Sequence, residues 1–178
     1  MRITVLGKSP SWQDAGGACS GYLVRDGDTR VLVDCGSGVF SELRRVVDYL
    51  EVDAVVVSHM HADHFLDLIP YACALSYAPR QQPDAVDRPP GAEHPVRPLL
   101  LLPPGGSDVL RVVGGAGGHP GLFDGAFRLR EYDVAQTVAV GSLRARFQPV
   151  PHYVATNAIE LTSCDGGGRF TYGADHGP

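Results

Sequence analysis

The sequence predicts a layered α/β fold that carries its chemistry at the ends of strands. Three observations support this. Apolar stretches of strand length alternate with helical patterns through the first half of the chain. The last third is a succession of short β-rich segments. A dense cluster of histidines with an aspartate follows directly on a β-branched run. With 178 residues and 44% hydrophobic content, the chain has one domain's worth of residues and enough apolar side chains to bury a core. Residues 1–178 are therefore expected to form a single domain.

Residues 2–6, 21–25 and 30–34 read as strands, the last two joined by a hairpin turn at Asp26-Gly27-Asp28. Ser37 or Gly38 opens a helix through Leu50. Phe40, Leu43, Val46, Val47 and Leu50 recur there at helical spacing, with Glu42, Arg44, Arg45 and Asp48 on the other face. Residues 54–57 form a buried strand, and 66–77 a helix that is apolar nearly all round. The segment 79–98, rich in Pro, Gln, Asp and Arg, reads as a flexible loop and places His94 at the surface. A short strand at 99–102, a helix at 107–113 and a flexible glycine cluster at 114–118 follow. No strand leads into those glycines and no Lys-Ser/Thr pair follows them, which argues against a phosphate-binding loop. His119, near Phe123, is a candidate for substrate contact, with a solvated loop as the alternative. Strands at 127–132, 137–140, 143–150, 158–162 and 169–172 complete the pattern, the last two joined by a hairpin over 164–168. No internal repeat is visible.

The run Asp53-Ala54-Val55-Val56-Val57-Ser58 leads into His59-Met60-His61-Ala62-Asp63-His64. Histidines two apart in extended backbone project to one side and can share an ion. Asp63 and His64 follow as the chain turns into a helix and can reach a second ion beside the first. Nothing structural requires that spacing, so the cluster reads as a metal site. Imidazole with carboxylate suits zinc, iron or manganese.

The His-x-His-x-Asp-His motif resembles the signature of the metallo-β-lactamase-fold hydrolases. Residues 1–7 resemble the family's first strand, 21–24 its second, and Asp34-Cys35-Gly36-Ser37-Gly38 the turn that carries a family aspartate. His152, in Val150-Pro151-His152-Tyr153, matches the next metal histidine, and Asp175 the aspartate that bridges both metals. Leu6-Gly7, the Asp-Cys-Gly-x-Gly turn and the continuation through Asp67-Leu68 look most like the branch of ribonuclease Z and its phosphodiesterase relatives, cyclic-nucleotide phosphodiesterases included.

The resemblance implies a four-layer αββα sandwich that here lacks much of its C-terminal half. In the family, more strands and helices and a final metal histidine follow the bridging aspartate, whereas this sequence ends Asp175-His176-Gly177-Pro178. His176 is a weak substitute ligand, because adjacent residues at a strand end point apart. An incomplete sandwich is expected to expose apolar sheet faces and edges, and so to require a second copy in a homodimer or a complementary C-terminal chain.

For the site, the resemblance implies one ion held by His59, His61 and His152, a second held by Asp63 and His64, and Asp175 bridging the two divalent ions. Zinc is the first choice, with manganese or iron as alternatives. A hydroxide between two dications is a nucleophile at neutral pH, since bound metal lowers the pKa of water from about 15.7 to roughly 7. Asp63, beside that water, is the candidate catalytic residue, orienting it or accepting its proton. Asp34 is expected to support the metal loop through hydrogen bonds rather than to bind metal. Asp67 reads as a capping or helix-surface residue, and Cys35 as structural.

The implied activity is hydrolysis of a phosphodiester, in a cyclic nucleotide or at an RNA 3′ end. Net charge is −5, and no basic RNA-gripping arm is visible, which favours the small substrate. One fold hosts many chemistries, so a lactone, thioester or carboxylic ester hydrolase is an alternative. A non-catalytic, metal-binding half-domain that needs a partner chain is another. The four cysteines lack paired spacing, residues 1–3 enter the first strand at once, and no apolar run is long enough to span a bilayer. A reducing cytoplasm and no membrane are expected.

Overall fold

In the computed structural model, which describes residues 1–78 and 97–177, two β-sheets lie face to face and helices cover the outer side of one of them. The first sheet is built from β1 (Arg2–Gly7), β2 (Gly21–Asp26), β3 (Thr29–Val33), β4 (Ala54–Val56), β5 (Leu99–Leu102) and β6 (Arg128–Glu131), in that spatial order. β1, β2 and β3 are antiparallel, and β3 to β6 run parallel. The second sheet holds β7 (Val138–Val140), β8 (Leu143–Val150), β9 (Thr156–Ser163) and β10 (Arg169–Tyr172), all antiparallel, in the order β10-β9-β8-β7.

The parallel strands are covered on both faces, which is why they read as continuous apolar runs rather than alternating ones. Leu32, Val55, Leu100 and Leu102 face the helices, where they meet Phe40, Leu43, Leu68, Tyr71 and Phe123. Val31, Val33, Ala54, Val56 and Leu101 face the second sheet, against Leu143, Ala145, Phe147, Ile159 and Leu161. β4 is central and wholly buried. It delivers the His59–His64 segment at the carboxyl ends of the parallel strands, where open α/β sheets place their ligands.

The helices are α1 (Val39–Arg44), α2 (Ala62–Phe65), α3 (Leu68–Tyr77), α4 (Gly106–Ala116) and α5 (Leu122–Ala126). Two expectations change here. The helix expected through Leu50 stops at Arg44. Asp48 then accepts from the Leu50 N–H and starts a separate 3-10 turn, Tyr49–Glu51, leaving Val46 exposed. The glycine cluster is not a loose loop, because α4 continues through Gly114 and Gly115. Gly114 packs so closely that a Cβ there would sit 2.8 Å from the His119 carbonyl oxygen. That closeness is compatible with α4 folding back onto α5, an element the sequence reading missed. The loop expected over 79–98, with His94, lies outside the described residues except for Arg97 and Pro98.

The described residues thus build three of the four expected layers: helices, a mixed sheet and an antiparallel sheet. The expectation of exposed apolar sheet surface is corrected for the outer face of the second sheet but not for the edge strand β1, where Ile3 and Val5 are exposed. Along β8 the inward residues are Leu143, Ala145 and Phe147, while Arg144, Arg146 and Gln148 face outward and are exposed. Arg169 and Thr171 of β10 are exposed as well, so the outer face of the second sheet is polar. Among the described residues no helix is long and apolar enough to cross a membrane.

Candidate metal centre

Every residue singled out as a ligand converges on one rim, where the loops after β4, β8 and β10 meet. His59 Nε2 lies 3.1 Å from His61 Nδ1, and His152 Nε2 lies 3.2 Å from that same nitrogen. His64 Nε2 lies 3.4 Å from Asp63 Oδ2 and 3.5 Å from Asp175 Oδ1. Two ligand groups result, His59 with His61 and His152, and His59 with His64 and Asp175, each with its donor atoms within 4.8 Å of one another. Asp63, although beside His64, belongs to neither group, and nor do His119 and His176. The His119 backbone instead joins α4 to α5, giving its N–H to Gly114 and accepting from Leu122.

The first half of the site is fixed by a buried polar network centred on Asp34. This carboxylate is fully buried and accepts the Ser58 N–H at 2.7 Å, the Ser58 hydroxyl at 2.8 Å and His64 Nδ1–H at 2.7 Å. Asp34 sits at φ 56°, a left-handed conformation that aspartate tolerates better than most side chains. Because the Ser58 hydroxyl donates to Asp34, it accepts from His59 Nδ1–H, 3.0 Å away. The Nδ1–H form of each imidazole leaves the Nε2 lone pair of His59 and His64 aimed into the site. Tyr132 braces the same strand end by donating to the Val57 and Ser58 carbonyls, and Asn157 donates to the Tyr132 hydroxyl. On the other side, Gly36 lets the β3 turn press against α2, since a Cβ there would collide with the Asp63 carbonyl oxygen.

The donor set fits divalent cations. His64 Nε2 is buried without a hydrogen-bond partner and faces two carboxylates, a repulsive arrangement that a proton or a cation relieves. His61 Nδ1 lies near two other imidazole nitrogens, and a single N–H there cannot serve both well. Burial, with the neighbouring His64, His61 and His152, pushes the His59 pKa down to about 3, so this ring is neutral and competent to ligate. For His64, burial lowers the pKa, but the hydrogen bond to Asp34 and the charges of Asp34, Asp175 and Asp63 together raise it above the ordinary histidine value.

Two flanking expectations also resolve. Asp67 does cap a helix, but the helix is α1, whose Phe40 N–H it accepts at 2.9 Å. Cys35 is fully buried against the core. The residues that the sequence reading missed are Ser58, Tyr132, Asn157 and Tyr172, whose hydroxyl lies 3.4 Å from His64 Nδ1. Ser58 was visible only as the polar end of the β-branched run.

A layered α/β body with imidazoles and carboxylates gathered on one rim defines a candidate metal-binding protein of the hydrolase-like sandwich class. The model of the metallo-beta-lactamase superfamily matches residues 14–130, and the chain belongs to that superfamily. It is 47% identical over 70 residues to the probable metallo-hydrolase YhfI of Bacillus subtilis (strain 168), covering 39% of this chain and 29% of that protein. It is 29% identical over 172 residues to ribonuclease Z of Haloferax volcanii, covering 96% of this chain and 49% of that protein. The crystal structure of B. subtilis YhfI superposes with a TM-score of 0.77 at 25% identity, over 97% of this chain and 62% of that one. Human tRNase Z, short form, superposes with a TM-score of 0.70 at 16% identity, over 97% and 68%, a likeness of fold. The chain therefore spans only part of the length of these curated relatives, about half of the ribonuclease Z.

Proposed function

We propose that this chain carries the ion-binding rim of a metal-dependent hydrolase that cleaves phosphodiesters. The observation that carries the reading is the convergence of His59, His61, His152, His64 and Asp175 into two overlapping ligand groups; His59 has one free ring nitrogen and would serve only one of two neighbouring cations. His59, His61 and His152 would hold one. His64 and Asp175 would hold the other, with Asp63 beside them and Asp175 close enough to serve both. Bound divalent cations lower the pKa of water to roughly 7 and neutralise charge that builds on phosphoryl oxygens. Zinc fits this donor set first, with manganese or iron as alternatives.

The chain's own residues supply orientation and proton handling. Asp34 and Ser58 keep His64 and His59 in the Nδ1–H form. Asp63, its side chain 12% exposed and 3.4 Å from His64 Nε2, would be the residue to orient an attacking water or accept its proton. The choice of a phosphodiester rests on the ribonuclease Z relatives together with this geometry. The negative net charge favours a small substrate such as a cyclic nucleotide over a long RNA. The free cysteines, Cys19, Cys35, Cys73 and Cys164, suit a reducing compartment such as the cytoplasm.

The test is to load the protein with zinc or manganese and assay bis-p-nitrophenyl phosphate, cyclic AMP and a 3′-extended transfer RNA beside a lactone. Turnover of a phosphodiester that a chelator abolishes is the expected result. Two bound ions with no turnover of any of the three phosphodiesters would end the proposal. Lactone turnover alone would redirect it to carboxylic esters. One ion or fewer, in a stable complex with another chain, would favour a non-catalytic half-domain.

A further inference from the structure

The two sheets are hydrogen-bonded to each other at Ser58. Within the mixed sheet its N–H and hydroxyl donate to Asp34, and the hydroxyl accepts from His59 Nδ1–H. Its carbonyl serves the other sheet, accepting the Asn157 N–H of β9 at 3.2 Å. The Tyr132 hydroxyl, one residue beyond β6, reaches the same carbonyl at 3.2 Å and the Val57 carbonyl at 3.1 Å. Asn157 Nδ2 completes the set by donating to the Tyr132 hydroxyl, 3.2 Å away. A hydroxyl carries one proton and two lone pairs, so it can receive Asn157 and still donate to the strand end. Ser58, Tyr132 and Asn157 are all buried, so water does not replace a bond lost among them.

Asn157 also stands at the root of a ligand. β8 and β9 are joined by residues 151–155, which include His152. The last backbone pairs before that connection are Pro149 with Asn157 and Val150 with Thr156. The Thr156 hydroxyl donates to the Val154 carbonyl at 2.9 Å, and Gly177 N–H donates to the Pro151 carbonyl at 2.8 Å. Neither bond reaches the mixed sheet, and His152 Nδ1 has no partner. Ser142 and Ser163 do bond Thr29 and Asp26 across the sandwich, but where β3 begins rather than where β4 ends. At the rim, the His152 ring lies 5.1 Å from that of His59 and 4.9 Å from that of His61, centroid to centroid.

We infer that Asn157 and Tyr132 form an inter-sheet latch that positions His152 against His59 and His61: Asn157 roots the connection that carries His152, and its partner Ser58 directly precedes His59. Both are positioning residues, since neither belongs to a ligand group. The inference rests on the metal-hydrolase reading above. Because the latch is complete without an ion, it is also testable in the metal-free protein.

Tyr132→Phe keeps the ring stacked on Phe147, centroids 3.7 Å apart, and removes the hydroxyl. Asn157→Ala removes the side-chain donor and keeps the backbone bond to Ser58. Phe147→Leu is the control, losing the stack while leaving every bond of the latch in place. Calorimetric titration with zinc or manganese reads each ion equivalent, and the one that His152→Ala weakens marks the three-histidine position. Nuclear Overhauser contacts among the imidazoles of the metal-free protein read the ring geometry. In Tyr132→Phe and Asn157→Ala the marked equivalent is expected to weaken about tenfold, the lower end for losing a partner behind a metal ligand. The other equivalent should be unchanged. The double variant should lose no more than either single one, because the same latch is broken in each. Contacts from His152 to His59 and His61 should fade, whereas the His59–His64 contact, centroids 4.0 Å apart, should persist. Equal weakening of both equivalents overturns the inference, as does unchanged affinity with the His152 contacts intact. The same selective loss in Phe147→Leu overturns it too, since packing would then hold His152. Should Asn157→Ala fail to fold, Tyr132→Phe alone carries the test. If the parent takes up no ion, the hydrolase reading falls, and the ring contacts in the metal-free variants still decide the latch.

Discussion

The ligands after β4 and the ligands after β8 and β10 are held in place by different means. His59 and His64 are fully buried, and each has its outer ring nitrogen hydrogen-bonded to a side chain that is itself buried. His152 is half-buried with Nδ1 unpartnered, and Asp175 is half-exposed on a bent strand end. The first group is set by folding of the mixed sheet. The second depends on how the antiparallel sheet docks against it. The difference teaches that preorganisation need not be uniform within one centre: one side is oriented by buried hydrogen bonds before an ion arrives, and the other has fewer such ties.

Breaking the hydrogen-bonded side should have the largest effect. Asp34→Ala strands Ser58 N–H, the Ser58 hydroxyl and His64 Nδ1–H in a buried space. It should cost about 3–5 kcal/mol in urea unfolding of the metal-free protein. A loss below about 1 kcal/mol would mean that the network is not what fixes this half. Gly36→Ala comes next, at about 1–3 kcal/mol, because the added methyl meets the Asp63 backbone rather than a movable side chain. Thermal melts should show the loss whether or not ions are present. The less tied side should respond in the opposite sense. His152→Ala should shift metal-free stability by less than about 1 kcal/mol, yet weaken ion binding at least tenfold by calorimetry. A large stability loss with unchanged ion binding would erase the contrast between the two sides.

The same contrast explains what was legible in the sequence. The β4–α2 ligands could be read because they are contiguous: a β-branched run announces the strand end, and the i, i+2 spacing of His59 and His61 announces a shared direction. His152 and Asp175 became visible only through the family resemblance, since no local pattern links them to residue 59. Strands were legible wherever apolar runs met turns, as in 99–102. The helix expected through Leu50 failed because helical spacing in Val46 and Val47 says nothing of a competing cap at Asp48. The glycines at 114 and 115 misled for the converse reason. At Gly114 the low helix propensity is overridden by a close tertiary approach that only a residue without a side chain permits, whereas Gly115 has open space around it. Tyr132 and Tyr172 were illegible because a tyrosine in a strand looks like core until its hydroxyl is seen to reach a partner.

His61 and His152 stand 91 positions apart along the chain, yet their ring nitrogens are 3.2 Å from each other. A cation gripped by both would act as a reversible staple between the two sheets. By the chain-entropy argument used for disulfides, closing a loop of that size is worth roughly 4–5 kcal/mol. Occupancy of the rim would then lock the sandwich together, and removing the ion would unfasten it.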